Sequence, residues 1–249
     1  MSVVLYVEAA AWQAHLDAVA RTVPGLVPVA KGNGYGLGNA RLAAQAARLQ
    51  VDTLAVGIPE EVADVAGPFP GRILVLAPWD GRPDAVEELA PGRMLRTVAH
   101  ADVLTSLATS SAAGRPALVA EVATSLCRHG LAPDQVGLLA KAEVTDVALH
   151  LPLSRPAGVD PLGEAREWAN RLVDAGVPVE RLWVSHLSDE ELDRLAAEHP
   201  SWEVRARIGT RLWLGAPGAL QVGASVLDVH QIRRGQRFGY RQQRAPTDG

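Results

Sequence analysis

Val27–Gly38 reads VPVAKGNGYGLG: a short apolar run, closed by Lys31 and followed by a loop with four glycines. Read as a strand that runs into a binding loop, it sets the pattern for the whole chain. Seven further apolar runs recur along the sequence, at Thr53–Ile58, Arg72–Leu76, Met94–Ala99, Ala117–Val122, Val144–Leu151, Arg181–Ser185 and Val204–Ile208. They are rich in Leu and β-branched residues and do not alternate strictly, as strands covered on both faces do not. Amphipathic stretches separate most of them. Glu8–Val23 sets Trp12, Leu16, Val19 and Val23 on one face; Ala40–Leu49 does the same with Leu42, Ala46 and Leu49, and Gly163–Ala175 with Trp168, Leu172 and Val173. Ser188–His199 opens SDEE, a capping box with Ser188 as cap and Glu191 reaching back. Eight strands alternating with helices in 249 residues predict a (β/α)8 TIM-like barrel.

Two segments fall outside that alternation. Val3–Val7 precedes the first helix, and Leu220–Ile232 follows the eighth strand and a turn, LGAPG; both read as extra strands paired with each other. The expected division is a barrel with its N-terminal strand over residues 1–218, then a remnant β segment and a frayed tail over 219–249. The rest of the composition excludes several classes. With 48% hydrophobic and 21% charged residues the chain is globular, and 24 basic against 28 acidic residues, a net charge of −4, give no basic excess for nucleic acid. No segment has the apolar length of a membrane span and the N-terminus has no basic region of a secretory signal. The single cysteine, Cys127, rules out an intrachain disulfide and a cysteine-based metal site, and no metal is expected; the implied setting is reducing and cytoplasmic.

In such a barrel the chemistry sits at the C-terminal ends of the strands. Lys31 ends one, where a buried ammonium is costly unless paired or neutral. The glycines beyond it let backbone approach a ligand closely, and Tyr35 adds a phenol. The other reading of these residues is an edge lysine reaching solvent beside a flexible loop.

VAKGNGYGLG resembles the lysine signature of the alanine racemase family, and further resemblances follow in order: LYVEAAAWQAHL (5–16), EVATSLCRHGL (121–131), VALHLPLS (147–154), RARIGTRLWLG (205–215) and SVLDVHQIRRGQRFGYR (225–241). The resemblance implies that Lys31 holds pyridoxal 5'-phosphate as a Schiff base and acts as a base at the substrate's Cα. It implies that Tyr35, Ser188 and the backbone at Gly209 and Thr210 bind the phosphate, though Ser188 is also read as a plain helix cap. Arg207 matches the arginine facing the pyridine nitrogen, or else forms a strand-end salt bridge; Arg205 and Arg211 are decoys by register. Arg128 matches the arginine on the phenolic oxygen. Glu121 stands where many members carry a carbamylated lysine, and supplies the anion that orients Arg128. His150 matches a strand-end histidine beside Arg207, or is a satisfied core residue. Tyr240 matches the second base, delivered from a partner subunit, or is an ordinary tail tyrosine.

The resemblance departs at Gly32, Gly34, Cys127, His186 and Leu187, and the chain ends nine residues after Tyr240, so the family's β domain is expected to be largely missing and the substrate site more open. The implied function is a racemase that interconverts L- and D-amino acids by two-base Cα proton transfer. The alternative is a pyridoxal-phosphate-binding or homeostasis protein of single-barrel type with little or no turnover. Partners implied are a small amino acid and a second copy of the chain, or a separate chain supplying missing groups.

Overall fold

The computed structural model describes residues 3–82, 89, 92–109 and 116–249. The chain opens with a strand, β1 (Val3–Val7), and a helix, α1 (Ala9–Thr22). Eight parallel strands follow: β2 (Leu26–Ala30), β3 (Thr53–Val56), β4 (Arg72–Pro78), β5 (Met94–Val98), β6 (Ala117–Val122), β7 (Asp146–Leu149), β8 (Arg181–Ser185) and β9 (Glu203–Ile208). Each pairs with the next, and β9 returns to β2 with Leu26, Val27 and Pro28 opposite Ala206, Arg207 and Ile208, closing the barrel. All eight expected runs are barrel strands, and the fold is the (β/α)8 barrel that they implied. The helices between them are α2 (Asn39–Arg48), α3 (Val62–Ala66), α4 (Ala101–Thr109), α5 (Gly137–Lys141), α6 (Pro161–Asp174) and α7 (Asp189–Glu198), with α8 (Thr210–Leu214) after the last strand.

The barrel is filled by Val27 and Val29 with Ala55, Leu74, Leu95, Val119, Ala148 and Trp183, one from each of the next six strands. That is the layered interior expected of this architecture. β9 differs, because it turns arginines inward. Arg205 lies over the Trp183 ring at 5.1 Å and is paired with Asp52 and Glu203. Arg207, two residues on and so on the same face of the strand, sits at the C-terminal end.

Two local readings differ from expectation and one holds. α6 starts at Pro161 rather than Gly163, because Asp160 caps it by accepting from Gly163 N at 2.9 Å and Pro161 suits the first turn. Val173, placed on its apolar face, is 56% exposed: it lies about 100° past Leu172, beyond the stripe that Trp168 and Leu172 define. α7 begins as read, with Ser188 and Glu191 completing the capping box.

Residues 3–12 and Ala216–Gly249 form a compact unit of their own, and Gln13–Gly215 form another. In the first, β1 pairs antiparallel with β10 (Leu220–Ala224), Val3 opposite Ala224 and Val7 opposite Leu220. The strand expected to reach Ile232 stops at Ala224. Where a frayed tail was expected, the backbone is paired instead: β11 (Arg237–Phe238) and β12 (Gln243–Arg244) form a hairpin, and Ile232 and Gly249 exchange hydrogen bonds at 2.8 and 3.0 Å. Polar composition misled here because the polar side chains help to pair the segment, as when Asp248 accepts from Arg234 N at 2.6 Å and Gln236 from Arg233 N at 3.1 Å. No helix among the described residues is long and apolar enough to cross a membrane.

Candidate active site

The C-terminal ends of the barrel strands enclose a cavity of about 530 Å³. Lys31, Tyr35, Arg128, His150, Ser188, Arg207, Gly209 and Thr210 all line it. Residues separated by up to 179 positions thus meet because parallel strands bring their C-terminal ends to one rim.

Lys31 is the first residue beyond β2, and the loop that carries it is tightly held. The Glu61 carboxylate accepts from Gly32 N at 2.5 Å and from Gly57 N at 2.7 Å, and Asn39 Nδ2 donates to Gly32 O at 2.8 Å. Gly57 also leaves room for the lysine, since a Cβ there would stand 3.2 Å from Lys31 Cβ. Tyr35 sits in a 3-10 turn, Gly34–Gly36, with a left-handed backbone at φ 56°. Its hydroxyl lies over Gly209, where a Cβ would come within 2.0 Å of Oη. Burial raises the Tyr35 pKa; the hydrogen bond with Thr210 opposes this and the Glu61 charge adds to it, so the phenol stays a proton donor at neutral pH.

Glu121, on β6, is 1% exposed and lies just behind the cavity wall. Arg128 Nη2 donates to its Oε1 at 2.7 Å, and Arg207 Nη1 stands 3.8 Å from its Oε2. One buried carboxylate therefore serves two guanidinium groups. Arg207 also donates to Leu149 O at 2.9 Å. The loop bearing Arg128 is pinned through Ser125, whose N and Oγ donate to Glu164 at 2.5 and 2.6 Å, and through Thr124 Oγ1, which donates to His150 O at 2.6 Å. His150 Nδ1 lies 3.2 Å from Ser185 Oγ. Burial, and then the charges of Arg207 and Arg128, push the His150 pKa down to about 3, so the imidazole is neutral.

Ser188 caps α7, with Glu191 N donating to its Oγ at 3.3 Å. The acidic first turn of that helix is neutralised from the cavity side. Arg155 binds Glu191 through both Nη atoms at 2.5 and 2.8 Å, and Arg211 binds Asp189 at 2.6 and 2.7 Å. Both arginines line the cavity. Arg205 does not, being paired with Asp52. Tyr240 belongs to the unit formed by the chain ends and is fully exposed.

Sequence reasoning passed over Glu61, Ser185 and Arg155, named His186 only as a departure from the resemblance, and set Arg211 aside as a decoy. Only Glu61 left a local signal, the Ile58–Glu61 spacing in which it reaches back to Ile58 N at 3.3 Å. The others act through partners more than 30 positions away or through a wall that exists only once the barrel closes.

The donor set is that of an anion site. Lys31, Arg128 and Arg207 bring basic side chains, Tyr35, Ser188 and Thr210 carry hydroxyls, and the buried Glu121 carboxylate faces Arg128 and Arg207. Arg207 Nε is buried without a hydrogen-bond partner among the described residues, a donor left for a ligand acceptor. The space over Gly209 beneath Tyr35 is closed to any side chain. These features fit a flat, phosphorylated, amine-reactive cofactor.

The sequence model of the family described as alanine racemase, N-terminal domain, matches residues 7–154. A search of curated proteins gives no match. The fold is similar to that of alanine racemase from Bartonella henselae, solved with covalently bound pyridoxal phosphate, at a TM-score of 0.73 and 18% identity over 100% of this chain and 73% of that one. It is similar to alanine racemase from Streptomyces coelicolor A3(2), at 0.69 and 22% over 99% and 72%, and to histidine racemase from Leuconostoc mesenteroides subsp. sake, at 0.70 and 18% over 99% and 72%. With its first six barrel strands inside the matched segment and the whole barrel in the same fold, the chain belongs to the alanine racemase family.

Proposed function

We propose that the chain is a pyridoxal-phosphate-dependent amino-acid racemase. The observation that carries this reading is the convergence of Lys31, Tyr35, Arg128 and Arg207 on one cavity at the strand ends. Lys31, Tyr35, Ser188, Gly209, Thr210, Arg128 and Arg207 are the residues that would hold the cofactor. When bound, it supplies a carbonyl that captures an amino group and a ring that accepts the electrons released at Cα. Lys31 then moves a proton at one face of Cα. Arg207 has only donors, so it would leave a ring nitrogen of the bound group unprotonated, which would make that ring a weaker electron sink and disfavour side reactions. Arg128 is held by Glu121 in an orientation that leaves part of the guanidinium free to meet an anionic oxygen. Inversion needs a second proton carrier at the other face, and Tyr240, presented by a second copy of the chain, is the group that the family resemblance offers for it. Its full exposure in the tail unit is what favours the second reading, a protein that binds the cofactor with little turnover.

Cα-proton exchange in heavy water separates the two. Protein loaded with pyridoxal phosphate is incubated with alanine, histidine and a panel of other amino acids, followed by proton NMR and chiral chromatography, with borohydride reduction to mark Lys31. Loss of the α-proton with growth of the other enantiomer is the expected result. Labelling of Lys31 without exchange for any amino acid refutes the racemase and leaves the binding protein.

A further inference from the structure

Glu121 has a third neighbour, His129, which the proposed reaction does not use. His129 Nε2 stands 3.3 Å from Oε1, the oxygen that already accepts from Arg128 Nη2 at 2.7 Å. That nitrogen is buried and has no aligned hydrogen-bond partner among the described residues. The backbone that follows gives the ring little room to retreat. Leu131 N donates to Glu121 O at 2.9 Å and Ala123 N to Leu131 O at 2.9 Å, while a Cβ on Gly130 would stand 2.4 Å from Ala123 N. His129 is thus fixed against the end of β6.

Three basic side chains converge on one buried carboxylate, and they differ in how freely they can leave it. Arg207 is buried and bonded to Leu149 O. His129 is tied by its backbone. Arg128 is half exposed, so its guanidinium exchanges Glu121 for water at little cost. The charged and titratable groups that face His129 are Glu121 from β6, Arg128 from its own loop, His100 just beyond β5 and Arg207 from β9. Burial lowers the His129 pKa most; the Glu121 charge opposes this and the other three add to it, so the ring is neutral at pH 7 and takes a proton only below the ordinary 6.5.

We propose that His129 is a positioning residue that makes the hold on Arg128 depend on protonation. Neutral, the ring leaves Oε1 to Arg128, whose guanidinium is then fixed at the cavity wall. Protonated, it brings a third positive charge to a single carboxylate and donates to Oε1. Arg128, the one group able to leave, then yields to solvent. The proton comes from water and returns to it. The consequence for catalysis rests on the racemase reading, in which Arg128 meets an anionic oxygen; the competition for Glu121 does not.

The test is NMR of the cofactor-free protein at pH 8 and pH 5. Guanidinium signals of Arg128 are assigned by their loss in Arg128→Gln, and imidazole signals of His129 by their loss in His129→Gln, with His129→Leu as a second variant should that one fold poorly. At pH 8 the Arg128 Nη protons are expected to be protected. Once His129 is protonated they should exchange about ten-fold faster relative to free arginine, the order that losing one hydrogen bond to a charged group allows. In His129→Gln the protection should be the same at both pH values. Arg128→Gln should raise the His129 pKa and Glu121→Gln lower it, since the first removes a repelling charge and the second the attracting one. Arg128 protection that persists through the His129 titration, or that is lost equally in His129→Gln, overturns the proposal and leaves the racemase reading standing. In loaded protein, Cα-proton exchange should fall between pH 8 and pH 5 about five-fold further in the parent than in His129→Gln, the low end of coupling between two linked sites. An equal fall overturns the catalytic consequence, and absence of exchange with every amino acid overturns the racemase reading alone.

Discussion

Replacing Glu121 by Gln keeps the shape of the side chain and removes the one negative charge that faces both Arg128 and Arg207. The two halves of this interaction are unequal. Arg128 is 41% exposed on its side chain, so water screens its loss and little stability is at stake there. Arg207 is buried and stands 3.8 Å from Oε2. At an effective dielectric constant of about 20, a charge pair at that separation attracts by about 4 kcal/mol. The retained amide dipole and the bond to Leu149 O recover part of this, leaving a net cost of about 3 kcal/mol, the low end for breaking a buried ion pair. For a chain of this size each kcal/mol moves the midpoint by about 2–4 °C, so the melting temperature of the cofactor-free protein should fall by about 6–12 °C. Circular dichroism melts of parent and variant at pH 7 measure it. Glu198→Gln, which breaks an exposed pair with Arg166, is the control and should leave the midpoint nearly unchanged. Inorganic phosphate should stabilise Glu121→Gln more than the parent, because an added anion replaces the lost charge. A shift no larger than that of the control, with no differential response to phosphate, would refute the idea that Glu121 is the shared counter-charge.

Three further outcomes are expected. The folded-state pKa of His150, about 3, lies far below the ordinary 6.5, so the unfolded chain binds a proton that the native state refuses. Its contribution to stability is complete above about pH 6.5 and is lost as pH falls toward 3; calorimetry at pH 5 in buffers of different ionisation enthalpy should show His150→Gln taking up about one proton fewer on unfolding. Asp52, held at about 2 chiefly by its hydrogen bond with Arg205, stabilises above the unfolded carboxylate pKa and loses that contribution as pH falls toward 2. Asp52→Asn should therefore be less stable at pH 7 and show a flatter stability profile below pH 4 in urea titrations. Gly209→Ala drives a methyl group into Tyr35 Oη, which stands 2.0 Å from that position. Titration by cofactor fluorescence should find binding weakened by at least about ten-fold, and the stability loss should shrink when Tyr35→Phe is added, a non-additivity expected only of residues in contact.

The barrel was legible because its signal repeats. Eight apolar runs bounded by glycine, proline and amphipathic stretches leave few other architectures, and Lys31, Arg207 and His150 could be placed at the strand ends from the runs themselves. Local signals were read well where side chain and backbone act within one turn, as at Ser188 and Glu191. They were misread where a side chain decides a boundary from outside the assumed element, as Asp160 does for α6. What the sequence could not show was pairing across the barrel. Arg211 is in register for a decoy and yet forms part of the wall, because Asp189, the first residue of α7, holds it there. Glu121 was linked to Arg128, seven positions away, but its approach to Arg207 depends on β9, a strand that pairs with β8 and β2 and faces β6 across the interior only in the closed barrel. His186 carried no pattern at all: its ring is held by a carbonyl 35 residues earlier.

The Glu61 carboxylate joins two loops that are otherwise independent, accepting from Gly32 and Gly57 at once. Gly32 sits in a glycine-rich turn and Gly57 just beyond β3, where an amide without a partner would exchange quickly with solvent. Bound to the two oxygens of one carboxylate, both amides lose their acceptor when α3 and its leading turn peel away from the rim. Their hydrogen-exchange rates should therefore be matched and should fall or rise as a pair when Glu61 is altered.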